Sequence, residues 1–303
     1  MLRPLLIPVM CICLPTWLGT AQAQHVHNLS MVPDAFDDQY IGCVEVMDVI
    51  APELLEVEMS DSSLFSMVWK TAIEKWKDMK TKVSLPGGFG DEHGQAIIAY
   101  SDKYKYNNEV FQRIFNEAVR GAGTSQADYM ANFQFKALHY YLTRALQLLQ
   151  GRCEVTHHTP VYQRVSDAVH WSKDDLLRFG YFASLSMKKE KAKRFDTATL
   201  FTVHTCFGVH IRSFSHFPDH EEVLIPVHEM FSVFPGTNSS SYVLRSTNRT
   251  CSHFNCAYLG KKKNQTCIDN SGGVAFPREM SPSLFGGSVI LTHVAALKLF
   301  AGF

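Results

Sequence analysis

Between residues 64 and 76 the apolar side chains fall at Leu64, Phe65, Val68, Trp69, Ala72, Ile73 and Trp76, with lysines and acids between them. That spacing of i, i+1, i+4, i+5 is one apolar face of a helix. Ser60 or Asp61 is placed to cap it, and Pro86-Gly87-Gly88 to end it. A short apolar run, Ala96 to Tyr100, follows. Two more helices are predicted over 107–121 and 125–150, the second carrying Phe133, Leu138, Tyr141, Leu142, Ala145 and Leu149. After Cys153 the pattern changes. Pro160-Val161-Tyr162, Leu200 to Val203, Val209-His210-Ile211, Val223 to Ile225 and Met230 to Phe234 are short β-rich runs separated by turns. Helices first and strands afterwards predict an α+β fold, with the helical part packed beside the sheet in one unit.

The two ends carry patterns of another kind. Arg3, an apolar run from Leu5 to Leu18, and small residues at Ala21 and Ala23 form the order of a secretory signal over residues 1–23. At the other end, Asn270-Ser271-Gly272-Gly273 precede a polar spacer and an apolar run from Leu284 to Phe303. That is the form of a signal for glycosylphosphatidylinositol (GPI) attachment, at Asn270 or Ser271, with 271–303 removed. His293 and Lys298 inside the run disfavour a stable spanning helix. The expected mature chain is therefore a single ectodomain, residues 24–270, held by lipid at the outer face of the plasma membrane.

Composition refines this picture. Lys plus Arg and Asp plus Glu each number 29, so no charge excess points to nucleic acid. Of eight cysteines, six lie in the mature chain: Cys43, Cys153, Cys206, Cys251, Cys256 and Cys267. An even number outside the cell predicts disulfides, with 15 pairings open. Acceptor sites for N-glycosylation stand at Asn28, Asn238, Asn248 and Asn264, three of them in one polar stretch that reads as an exposed C-terminal flank.

Three features are candidates for chemistry. Gly88-Phe89-Gly90 with Gly94 imitates a dinucleotide loop, but proline precedes it where a strand should, and Asp91 and Glu92 stand where a diphosphate needs uncharged backbone; it reads as a turn. His157-His158 and the series His204, His210, His216, His220 and His228 repeat no ligand spacing, so no metal is expected. The segment from Phe217 to Pro226 is more pointed, because adjacent carboxylates run into an apolar strand. Alternation along that strand puts His220 and Glu222 on one face and Glu221 on the other. A carboxylate at the lip of a strand beside apolar walls is suited to stabilising positive charge on a substrate.

The segment Glu221 to Pro226, with Ala35 to Tyr40, Gly42-Cys43, Asp91 to Gly94, Phe133 to Leu149, Arg178-Phe179-Gly180, Phe182-Ala183-Ser184 and Thr205 to Gly208, resembles the vertebrate GPI-anchored ecto-ADP-ribosyltransferases. The matches run in order through nearly the whole mature chain, and the ending Cys251 to Gly260 most resembles the third mammalian type. The resemblance implies a β-rich NAD-binding core without a Rossmann loop, and transfer of ADP-ribose from NAD to arginine on extracellular proteins with release of nicotinamide. NAD would be substrate, with no metal. It implies disulfides Cys43–Cys256 and Cys153–Cys206, leaving Cys251–Cys267 as an extra bridge. The family pattern is an arginine, a serine and a Glu-x-Glu. Its last glutamate maps to Glu222 and its serine to Ser184, as catalytic residues. The carboxylate's hold on a ribose hydroxyl strengthens as oxocarbenium charge develops. The arginine position meets Gln163 followed by Arg164, as cofactor-binding candidates beside Ser184 and Glu222. If Gln163 occupies the site, regular alternation turns Arg164 to the other sheet face. The first glutamate of the pattern maps to His220 on the acceptor side, and an imidazole does not pair with guanidinium as a carboxylate does. NAD hydrolysis, or a fold kept for binding alone, are the alternatives to arginine transfer that these departures leave open.

Overall fold

The computed structural model describes residues 27–28, 30–106, 109–165, 169–170, 176–190, 199–215, 219, 221–238 and 240–269. The secretory and GPI-attachment segments lie outside them. In chain order the elements are β1 (His27–Asn28), α1 (Val44–Asp61), α2 (Ser63–Met79), α3 (Asp91–Ser101), β2 (Lys105–Tyr106), β3 (Glu109–Val110), α4 (Phe111–Gly121), α5 (Gln126–Asn132), α6 (Lys136–Leu149) and α7 (Cys153–Thr156). Then follow β4 (Val161–Val165), β5 (Val169–His170), β6 (Leu176–Leu177), β7 (Ala183–Ser186), β8 (Thr199–His204), β9 (Val209–His210), β10 (Glu222–Ile225), β11 (Glu229–Pro235), β12 (Ser241–Ser252) and β13 (Ile268–Asp269). The expected α+β order is present, and the described residues fall in one compact unit.

Several local expectations are corrected. Ser60 and Asp61 close α1 instead of opening the next helix; Ser62, extended in backbone, caps α2 by accepting from the Phe65 amide at 3.2 Å. The same helix ends at Met79, well before Pro86, and a single 3₁₀ turn (Lys80–Lys82) follows. The run Ala96 to Tyr100 belongs to α3, which is buried on nearly every side, so it carries no polar stripe to mark its period. The long helix expected over 125–150 is two, α5 and α6, broken at Phe133 to Phe135. Gly88 sits in a turn with φ of +79°, as read from the sequence. Gly94 serves packing: a Cβ there would lie 2.6 Å from the Trp76 ring.

The main sheet runs β6-β11-β12-β8-β4-β7-β10-β9, with β13 beside β12. It is mixed: β8 and β12 are parallel, the other pairs antiparallel. One face buries Val161, Phe201, Val203, Leu185, Val223, Ile225, Phe231 and Leu244 against each other. The helices form a second core around Trp69, Trp76, Phe115, Tyr140 and Phe36, and this core takes in Phe182, Leu224 and Phe254 from the sheet half. Those shared side chains are why helices and sheet make one unit. The stretch holding Asn238, Asn248 and Asn264 is built into the sheet through β12, the longest strand among the described residues. Asn238 and Asn248 are nonetheless exposed; Asn264 is half-buried, and the side chain of Asn28 lies outside the described residues.

Candidate active site

Strands β7 and β10 lie side by side, with Leu224 opposite Ser184 and Glu222 opposite Ser186. Ser184 and Glu222 are therefore diagonal neighbours on one face, within side-chain reach. The Ser184 hydroxyl donates to Glu222 Oε1. Burial pushes the Glu222 carboxyl above its ordinary value, while the Ser184 hydrogen bond and the charge of Lys103 pull it back. The sequence brings these two residues together correctly. It fails one step upstream: the strand starts at Glu222, and Glu221 has a left-handed backbone with φ of +44°. The alternation expected through residue 220 stops there, and His220 itself lies outside the described residues. Glu221 turns to the rim, 3.5 Å from Lys188 Nζ and 3.8 Å from Arg212 Nη1.

The pair is braced from the helical side. Tyr100 on α3 donates its hydroxyl to the Phe182 carbonyl, two residues before Ser184. Asn116 on α4 donates to the same carbonyl at 3.0 Å and to the Tyr100 hydroxyl at 3.1 Å. Burial drives the Tyr100 hydroxyl far above its usual range, so it stays a donor.

Strand β4 pairs with β8 in unbroken register, Gln163 opposite Phe201 and Arg164 opposite Leu200. Gln163 faces the buried Phe201 side, and its amide donates to the Tyr181 hydroxyl. Tyr162 stands opposite Ser186, which stands opposite Glu222, so Tyr162 and Arg164 share the face of the Ser184–Glu222 pair. The two residues at the arginine position thus face opposite ways, as alternation requires, and it is Arg164 that lies on the carboxylate's face.

Other contacts explain motifs whose roles the sequence did not reveal. Arg178, fully buried, donates to Asp37 Oδ2 at 2.6 Å, to the Cys251 carbonyl at 2.7 Å and to the Met31 carbonyl. Asp37 in turn accepts from the amides of His253 and Phe254. Asp38 accepts from Tyr40, Cys256 and Ala257, and burial still raises its carboxyl to about 6. Glu229, wholly buried, accepts from Thr205 Oγ1 and from the amides of Cys206 and Phe207, holding the turn Thr205 to Gly208. Arg178 is hard to read in sequence because its partners Asp37 and Cys251 lie 141 and 73 positions away.

The three disulfides are Cys43–Cys256, Cys153–Cys206 and Cys251–Cys267. Two groups of potential metal ligands occur among the described residues, Cys153 with His157 and Cys206, and Asp37 with His253 and Cys267. Their cysteines are held in disulfides and have no thiolate to offer. His157 and His204 lie with ring centres 5.4 Å apart, while burial lowers the His228 imidazole to about 3. His216, like His220, lies outside the described residues.

Comparison with known proteins agrees with this geometry. A family model described as NAD:arginine ADP-ribosyltransferase matches residues 29–252. Ecto-ADP-ribosyltransferase 5 of Rattus norvegicus is 43% identical over 280 residues, covering 90% of this chain and 89% of the relative. Ecto-ADP-ribosyltransferase 3 of Homo sapiens is 40% identical over 245 residues, covering 80% of this chain and 62% of the relative. The ending Cys251 to Gly260 therefore pointed to the third type, although the fifth type is more alike over a longer span. Among solved structures, the eukaryotic mono-ADP-ribosyltransferase ART2.2 in complex with NADH, carrying one substitution, superposes with a TM-score of 0.67 at 36% identity, covering 76% of this chain and 99% of that one. A second substituted form, in complex with NAD, gives 0.66 at 36% identity, with the same coverage. The chain belongs to the NAD:arginine ADP-ribosyltransferase family.

Proposed function

We propose that this chain is a cell-surface mono-ADP-ribosyltransferase that moves ADP-ribose from NAD to protein arginine and releases nicotinamide. The observation that carries the reading is the Ser184–Glu222 hydrogen bond at the start of β10, with the carboxyl half-buried and raised. As the bond to nicotinamide breaks, positive charge spreads over the ribose C1 and ring oxygen. A carboxylate fixed beside the ribose gains attraction at that moment, which lowers the barrier. Ser184 holds the carboxylate in place and shares in binding the ribose. The acceptor-side position of the family pattern is His220, a residue without a standing negative charge.

The relatives' names place them at the cell surface, and this chain's two ends are read in the same way: residues 1–23 as secretory signal, 271–303 as the GPI-attachment propeptide, and Asn28, Asn238, Asn248 and Asn264 as glycan acceptors. The test is to supply the purified full chain with NAD and agmatine, a small guanidine, and to separate the products. ADP-ribosyl-agmatine supports transfer; free ADP-ribose alone points to hydrolysis, and then His220→Glu is expected to restore the adduct. Phospholipase release of the chain from cell membranes tests the anchor.

A further inference from the structure

Against α4 and Tyr181 lies a cavity of about 660 Å³ lined by Lys103, Asn116, Arg120 and Tyr181 among others, with Ser184 and Glu222 outside its wall. Shared groups join it to the pair. Asn116 holds the Phe182 carbonyl just ahead of Ser184, and the charge of Lys103 acts on Glu222. Not every cation on its wall is available. Arg113 is neutralised by Glu109 at 2.6 Å and Glu117 at 3.9 Å.

Arg120 differs. It sits in the last turn of α4 with its guanidinium 5.2 Å from the centre of the Tyr181 ring, and no carboxylate among the described residues forms an ion pair with it. The ring is fixed from its hydroxyl end by the Gln163 amide. A guanidinium stacked on an aromatic face keeps its edge N–H groups free for a bidentate grip on phosphate. Gln163, touching the same ring, is neutral and supplies no such charge.

We propose that Arg120, held over Tyr181, grips the diphosphate of NAD and seats the nucleotide in this cavity. This rests on the reading that the Ser184–Glu222 pair acts on NAD. The experiment is calorimetric titration of the full chain with NAD, ADP-ribose and nicotinamide riboside, for wild type and the variants Arg120→Ala, Arg120→Lys and Arg164→Ala. Arg120→Ala is expected to weaken NAD and ADP-ribose by about tenfold to a hundredfold, the range for a charge-assisted contact, and to flatten the salt dependence. Nicotinamide riboside, without phosphate, keeps its affinity, and Arg120→Lys recovers part of the loss. Unchanged NAD affinity in Arg120→Ala overturns the proposal, as does a loss confined to Arg164→Ala. If wild type binds NAD through Arg120 yet releases no nicotinamide, the catalytic reading fails and this one stands. If it binds neither NAD nor ADP-ribose, both fail.

Discussion

Glu222 is held between two influences, the burial that disfavours its charge and the Ser184 hydroxyl that favours it. The proposed catalysis needs the ionised form, so kcat/KM is expected to fall as pH drops through a value above the ordinary carboxylate range. Ser184→Ala removes the hydrogen bond that lowers the Glu222 pKa. The acid limb is then expected to move to higher pH, on top of a loss in kcat, and a pH–rate profile checks both; a limb that stays put would separate Ser184 from the carboxylate. Elsewhere at this scale the decisive residue is Arg178. It and Asp37 are both fully buried, so Arg178→Met leaves a carboxylate without its partner, at a cost of about 3–5 kcal/mol in urea unfolding. Glu222 and Ser184 were legible because the strand pattern and the family motif coincide there. Arg178 was visible only as a motif letter. Its partners come from residues 31, 37 and 251, and nothing in local sequence announces such a meeting.

Among the elements, α1 was the least legible. Its Val46, Val49 and Val57 are exposed and Pro52 lies within it, so the stripe that marks an amphipathic helix is blurred. One of its side chains has a specific task. Glu58 accepts from the Lys136 and Ala137 amides and so caps α6 at a distance, with burial raising its carboxyl to about 7. Because the folded pKa lies above the unfolded one, ionisation of Glu58 opposes folding, and its contribution shrinks as pH rises from about 4.5 to about 7. Asp38 acts in the same direction, whereas His93, His139 and His228, lowered to about 4, 3 and 3, act in the opposite one. The expected signature is thus a difference: Glu58→Gln, compared with wild type by urea midpoint, gains relative stability between pH 5 and 7. A difference that is flat with pH would show that Glu58 does not titrate there. The β-rich half was better legible, since its strands are short, apolar and bounded by turns. The break between α5 and α6 was not, because Phe133 and Phe135 continue the apolar pattern through the kink.

For the whole molecule, the order of helices then strands was sufficient to give the α+β class, and the shared core of Phe182, Leu224 and Phe254 explains why the two halves do not part. The Cys43–Cys256 bridge ties the start of α1 to the far end of the chain across 213 residues, and Cys251–Cys267 spans only 16. In the chain-entropy account these are worth about 5 and about 3 kcal/mol. Removing the long bridge by Cys43→Ala with Cys256→Ala should therefore lower Tm more than Cys251→Ala with Cys267→Ala; equal losses would show that chain length is not what governs them. The pairing itself rested on family resemblance, since six cysteines leave 15 choices and spacing selects none.

The proposed activity turns on Glu222 acting at the nicotinamide bond, and the direct measurement is nicotinamide release from NAD by the purified full chain and by its Glu222→Gln variant. The expected result is release by the wild type and a fall of at least about a hundredfold in the variant, the scale of losing one transition-state charge partner, with NAD still bound. Equal release by both proteins, or none from the wild type, would contradict it.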